Sequence, residues 1–234
     1  MTYNIHHGEG VDGKLDLPRI AEVIKAQAPD LVALQEVDKG VARTDRVDTP
    51  AELARLTGMT ALFHNNYAYQ GGEYGNAILS RFPVVSESNT HLKMLREGEQ
   101  RGVLQAVVEL PGGRHLLFAA THIDYRRDDA ERLQNIQEFK GLLGQYPALP
   151  FILCGDFNDF PNSRVHAAMK EDFVDSWEKV GEGDGFTFSS DRPRSRIDYV
   201  WVARRDSAPQ PKRTWIPETQ ASDHLPLVFE LELP

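Results

Sequence analysis

The sequence predicts a mixed α/β (α+β) fold in which packed mixed sheets are flanked by helices. Three observations predict it: helix-period and strand-period stretches interleave along the 234 residues, strands outnumber helices, and neighbouring strands are often joined by turns. A doubly wound parallel sheet needs a crossover of roughly a dozen residues between consecutive strands, and that rhythm is missing here.

The elements follow in order. Tyr3 and Ile5 alternate in TYNIHHG as if a strand were already under way, so the natural protein is expected to continue upstream of Met1. LDLPRIAEVIKAQAPD spaces Leu17, Ile20, Val23 and Ile24 at helical intervals, with Asp16 as N-cap and Pro18 in the first turn. LVALQEV reads as a short buried strand, and TPAELARLTG as a second helix capped by Thr49 and ended by Gly58. NAILSRFPVV and GVLQAVVEL are strands, with PGGR turning the chain into HLLFAATHI. DDAERLQNIQEFKGLLGQY is the longest helix, its stripe carried by Leu133, Ile136, Phe139, Leu142 and Leu143, and Asp128 and Asp129 at its start suit a solvated N-terminus. FILCG, GFTFSS, RIDYVWVA and LPLVFELEL complete the strands. Without a repeat, a low-complexity tract or a Ser/Gly linker, one domain over residues 1–234 is expected.

Composition narrows the function classes. The chain is 41% hydrophobic and 26% charged, enough for a full core and against wholesale disorder. No apolar run approaches the ~20 residues that span a bilayer, and MTYNIHHGEG lacks the pattern of a secretory leader. A cytoplasmic protein is expected, or an exported one if an upstream leader has been removed; a monomer is the default. The single cysteine, Cys154, sits inside an apolar run as a small hydrophobe and excludes an intrachain disulfide. A net charge of −9 weighs against a long duplex footprint, whose affinity rests on neutralising phosphates.

Polar residues recur where these strands end. Asn4 lies in the first strand, Glu36 in LVALQEV, His122 at the end of LLFAATH, and Asp156 and Asn158 at the end of FILCGDFN. Asp198 interrupts RIDYVWV, and Asp223 and His224 precede LPLVFEL. One such case is an ordinary polar turn. Their repetition on separate strands points to convergence on one polar cavity, because charged groups are rarely buried unless paired or bound to metal. Carboxylates, imidazoles and amides without thiolates make a hard, oxygen-rich site suited to Mg²⁺ or Mn²⁺. With no Walker A loop, GxGxxG turn, HExxH pair or GxSxG elbow, metal-assisted hydrolysis by water remains.

The ordered set TYNIHH, LQEV, GNAILSR, THID, GDFN, RIDYVWV and SDHLPL resembles the endonuclease/exonuclease/phosphatase superfamily of DNase I-like phosphohydrolases, and it runs the length of the chain. The resemblance implies a four-layer αββα sandwich. It implies Glu36 as principal Mg²⁺ (or Mn²⁺) ligand, with Asn4 beside it and Asp223 direct or through water. Asp156 would orient or deprotonate the attacking water, Asn158 and His122 would hold phosphate oxygens, and His224 paired with Asp198 would stabilise the transition state. Asn76 and Arg101 sit where the family often places substrate contacts. Strand alternation sends His6 and His7 to opposite faces, so at most one would reach the pocket. Arg192, Arg194 and Arg196 would meet an anionic substrate or form a solvated loop. The expected partner is a phosphodiester, with a small molecule or lipid headgroup favoured over nucleic acid. An endo- or exonuclease is the alternative, and an inert binding module on the same scaffold a further one.

Overall fold

A computed structural model of the chain describes residues 1–205 and 208–233. Strands β1 (Thr2–Asn4), β2 (Leu31–Lys39), β3 (Thr60–Tyr69) and β4 (Gly72–Ser80) form one sheet in the order β1-β2-β4-β3. Strands β5 (Val84–His91), β6 (Gly102–Leu110), β7 (Arg114–His122), β8 (Phe151–Asp156), β9 (Phe173–Asp175) and β10 (Asp198–Ala203) form a second, ordered β5-β6-β7-β8-β10-β9. Both are mixed: β1 and β2 run parallel, as do β7 and β8, and the remaining pairs are antiparallel. β11 (Gln210–Trp215) and β12 (Val228–Glu232) make a separate hairpin-like pair.

Strand alternation divides the apolar residues among three cores, and so stacks the layers. In β2, Val32 and Leu34 pack with Tyr3 and Ile5 against Ile20, Ala21 and Ile24 of α1 (Leu17–Gln27) and Leu53 of α2 (Thr49–Thr57). The alternate residues Leu31 and Ala33 face the other sheet, meeting Leu104, Ala106, Phe118, Ala120, Cys154 and Val200. On the far side, Val103, Leu117, Leu153 and Trp201 pack under Ile136, Phe139 and Leu142 of α3 (Ala130–Gln145), joined by Val165 and Met169 of α4 (Arg164–Met169). Helices, sheet, sheet and helices follow one another, the four-layer arrangement expected. Burying a side chain such as Phe139 is worth about 1.5–3 kcal/mol, so these interfaces carry the fold.

Local chemistry explains the helix ends. Asp16 accepts from the Arg19 amide and Pro18 occupies the first turn of α1, as expected. At α2 the cap is Asp48, which accepts from the Ala51 amide at 3.1 Å; Thr49 is already the first helical residue. Asp129 starts α3 without a side-chain cap, and Asp128 forms a bidentate pair with Arg96 instead. Cys154 is buried, which pushes its thiol up to about 12 and leaves it unreactive. Among the described residues no helix is long and apolar enough to cross a membrane.

The structure departs from the sequence reading at seven places. NAILSRFPVV is two strands, broken at residues 81–83, where the Ser80 hydroxyl closes a turn on Phe82. GFTFSS is a loop with bridges only at Phe188, because its apolar faces have no continuous neighbour. β3 runs through HNNYAY, which lacks an apolar alternation but is held by its long pairing with β4. The short β9, β11, α4 and α5 (Ser176–Val180) lack sequence signals of useful length.

Candidate active site

The inter-sheet parity that buries Ala120, Cys154 and Val200 extends to His122, Asp156 and Asp198 at the same end of the sandwich. Register places them abreast: His122 is the β-partner of Asp156, and Asp156 that of Asp198. Gly155 permits the approach of β8 to β7, since a Cβ there would stand 1.9 Å from the Thr121 carbonyl oxygen. Asn4 arrives on the inward face of β1, opposite to Tyr3 and Ile5. Glu36 would share the helix-facing side with Leu34, but the β2–β4 ladder bulges between Leu34 and Val37 and Glu36 takes φ +57°. That bulge re-aims the carboxylate into the inter-sheet mouth. The segment before β12 is pinned by backbone bonds between Leu227 and Thr2 and by the Ser222 hydroxyl on the Asn4 carbonyl, which delivers Asp223 and His224.

The side chains meet tightly. Asn4 Nδ2 donates to Glu36 Oε1 at 2.9 Å and to Asp156 Oδ2 at 3.1 Å, while its Oδ1 accepts from the His6 amide. His224 Nδ1 lies 2.9 Å from Asp198 Oδ2, and its Nε2 3.7 Å from Asp156 Oδ2. His122 Nε2 is 3.0 Å from Asn158 Nδ2 and 3.5 Å from Asp156 Oδ2. Asn158, in the left-handed region at φ +48°, also donates to the Ile123 carbonyl.

Electrostatics divides the titratable groups. Burial, then the neighbouring Asp198 charge, pushes Asp156 up to about 7. Burial alone would lower His224, but the charge and hydrogen bond of Asp198, with Asp156 behind them, raise it to about 10. Burial drives His122 well below the ordinary histidine range, with Arg101 and His224 adding to the effect, so its imidazole is neutral.

These groups line a cavity of about 420 Å³ together with Glu36, Asp223 and Arg101. The expected residues Asn4, Glu36, Arg101, His122, Asp156, Asn158, Asp198, Asp223 and His224 therefore gather at one end of the sandwich. Asn76 does not line the cavity: buried, it donates to the Gly102 carbonyl at 3.0 Å and ties β4 to β6 across the two sheets, beside Arg101. Asn4 offers its amide nitrogen to the carboxylates and its oxygen to His6, an orientation that differs from the ligand role expected. His6 and His7 are not on alternating strand faces, because the strand ends at Asn4 and a 3-10 turn over His6–Gly8 brings both within reach of Glu36. Arg196 is neither substrate-facing nor solvated; it is buried on Asp175 at 2.6 Å. Arg43, Glu99, Tyr67, Tyr69, Tyr125 and Phe188 also line the cavity. Arg43 lies in a short turn without motif, whereas the tyrosine-rich HNNYAYQGGEYG does signal a recognition wall in the sequence.

A two-sheet sandwich with a carboxylate–histidine cluster at its mouth defines a DNase I-like fold. Residues 1–224 match the endonuclease/exonuclease/phosphatase family, and the chain belongs to it. YbhP of Escherichia coli is 28% identical over 251 residues, covering 100% of this chain and 95% of that one. The 5'-tyrosyl-DNA phosphodiesterase of Caenorhabditis elegans is 28% identical over 203 residues, covering 82% of this chain and 50% of its own. The crystal structure of a family member from Beutenbergia cavernae superposes with a TM-score of 0.79 at 27% identity, over 99% of this chain and 70% of that one.

Proposed function

We propose that the chain is a divalent-cation-dependent phosphodiesterase that uses water as nucleophile. The observation that carries this reading is a charge imbalance at the cavity. His224 is matched by Asp198, Arg43 by Asp38 and Arg101 by Glu99. Among the described residues Glu36, Asp156 and Asp223 face the same space with no Lys or Arg paired to them, only histidines lying near Asp156 and Asp223. A hard dication fits such an oxygen-rich set, and Mg²⁺ or Mn²⁺ is the assignment. Glu36 and Asp223 would hold it, with Asn4 orienting Glu36 and Asp156 through its amide. When bound, the cation supplies charge that neutralises phosphoryl oxygens.

The chain's own residues account for the remaining steps. Asp156, raised to about 7 and acting in its ionised carboxylate form, accepts a proton from the attacking water at Oδ2. His224, held cationic and oriented by Asp198, presents Nε2 to the charge that grows on the phosphoryl oxygens. The neutral His122 and Asn158 border the same position, where non-bridging oxygens would lie. Water oxygen bonds to phosphorus as the ester P–O bond breaks, and the leaving alkoxide is protonated from solvent.

Purified protein assayed on bis(p-nitrophenyl) phosphate with Mg²⁺ or Mn²⁺, and again in EDTA, tests the proposal. Turnover that EDTA abolishes is expected. An inert chain under all conditions would favour a binding module on this scaffold.

A further inference from the structure

We infer that His6, His7 and Glu36 form a second cation site, with Zn²⁺ as the assigned ion; the site goes beyond the phosphodiesterase reading, and neither its evidence nor its test uses turnover. Each of the three residues offers a ligand atom within 4.8 Å of the other two. Two imidazoles and a carboxylate suit a borderline transition metal better than Mg²⁺, which prefers oxygen ligands, and three protein ligands leave positions for water. Among the described residues two further clusters have this spacing. Asp156, Asp198 and His224 belong to the catalytic group, and His166, Asp175 and Glu178 are already matched by Arg196 and Lys170. The charged neighbours of His6 and His7 are instead carboxylates, Asp223 at 4.0 Å and Glu9 at 3.6 Å.

An orphaned ring nitrogen is the second observation. His7 is 7% exposed, and its Nδ1 is buried without a hydrogen-bond partner among the described residues. A buried polar atom in that condition calls for an ion or a water. Glu9 sets what the nitrogen can do. Its carboxylate, 3.6 Å from His7 Nε2, favours the proton there and so leaves the lone pair on Nδ1. The Glu9 carbonyl lies 3.2 Å from His6 Nδ1 and, by accepting that proton, leaves the lone pair on His6 Nε2. Metal-bound histidines are oriented in this way, one nitrogen on a carbonyl or carboxylate and the other on the ion. The backbone agrees. His6, His7 and Glu36, at φ +44°, +47° and +57°, are three of the nine non-glycine residues with positive φ among the described residues, and such conformations gather where a ligand is held.

The site also has its own approach. His7 lines a separate cavity of about 560 Å³ beside the starts of α1 and α2, and Asp16, Asp45 and Glu52 line it too. Glu36 lines the catalytic cavity, and neither histidine does. The three residues therefore stand in the wall between the two spaces, with carboxylates on the outer side to draw a cation in.

The test titrates Zn²⁺ by calorimetry into untagged wild-type protein held in saturating Mg²⁺. One equivalent is expected to bind, with affinity lost in His6→Ala/His7→Ala and weakened on the order of tenfold in Glu9→Ala. Binding should be kept in Asp223→Asn, which removes a ligand proposed for the catalytic cation. Thermal unfolding in EDTA checks that each variant folds. Should the double variant fail to fold, Glu9→Ala and the proton NMR spectrum of the wild type loaded with Co²⁺ replace it, strongly shifted imidazole signals supporting the site and their absence overturning it. No Zn²⁺ binding, with only water on His7 Nδ1, overturns the inference. Zn²⁺ binding that survives the double alanine change, or disappears in Asp223→Asn, means that the ion has entered the catalytic place, and overturns it as well. Diester hydrolysis enters none of these outcomes, so a failed site leaves the phosphodiesterase proposal standing, and an inactive enzyme leaves the site standing.

Discussion

His224 stands between two carboxylates that do different things to it. Asp198 holds Nδ1 at 2.9 Å and keeps the ring charged, whereas Asp156 lies 3.7 Å from Nε2, on the side that faces the cavity. If Asp198 acts through the imidazole, Asp198→Ala and His224→Ala should each lose most of kcat, and the double variant should be little worse than either. Additive losses in steady-state kinetics would mean that the two act separately. Glu36 is a different case, since its side chain is hydrogen-bonded by the Asn4 amide and otherwise has only the His6 and His7 rings near it. Glu36→Gln keeps that bond's geometry but removes the charge offered to the cation. It should lower kcat by on the order of 10²-fold or more at saturating Mg²⁺, with an unchanged Tm in EDTA. Outside the cavity, Asp175 shows the pH dependence of a structural ion network. Burial works against the Asp175 carboxylate, but His166 and Arg196 outweigh it and hold it below its ordinary value. A depressed folded value gives stability that is present above the unfolded value, about 3.9, and lost as pH falls through the folded one. Asp175→Asn should therefore cost about 3 kcal/mol at neutral pH, because Arg196 stays buried without its partner. The wild-type advantage in denaturant midpoints should shrink below about pH 4; a difference constant from pH 7 to pH 3 would remove Asp175 as its source.

At the scale of elements, the site exists because strand parity and register agree. β7, β8 and β10 read apolar-inward until their ends, where the same parity carries His122, Asp156 and Asp198. This much was legible, since apolar runs ending in carboxylate, amide or imidazole are a one-dimensional pattern. The bulge at Glu36 was not: simple alternation along LVALQEV puts it beside Leu34, and only the β4 partner strand reveals the slip. The same limit explains β3, whose polar HNNYAY is a strand because β4 is alongside it, and the 3-10 turn that moves His6 and His7 together. The Asn76 amide was legible as a position and not as a contact, because its carbonyl partner lies in the other sheet. Gly155 gives the element scale its test. Its Cβ would meet the Thr121 carbonyl oxygen at 1.9 Å, backbone against backbone, in the one parallel pair of this sheet. Gly155→Ala should destabilise by about 3 kcal/mol, a fall of roughly 6–12 °C in Tm for a chain of this size. A calorimetric Tm within a degree of wild type would show that β7 and β8 yield without cost.

For the whole molecule the deciding quantity is charge. The chain carries 35 acidic against 26 basic residues, and the two arginines at the cavity are already matched by Asp38 and Glu99. An enzyme that tracks a duplex neutralises several phosphates, and its affinity falls steeply with salt as counterions are released. The positive charge on offer here is local, limited to the imidazolium of His224 and the proposed cation. On the proposed function, such a site would engage one scissile phosphate and one or two neighbouring groups. Small diesters should therefore be turned over with a kcat/KM that changes little between low and physiological NaCl, and short single strands only slightly more steeply. Plasmid DNA should be a poor competitor at every salt concentration. Competition kinetics between plasmid and a small diester across a NaCl series measures both quantities at once. Efficient nicking with a steep negative slope of log kcat/KM against log salt would mean that a basic surface forms around the duplex despite the acidic total, and the compact-substrate assignment would fall.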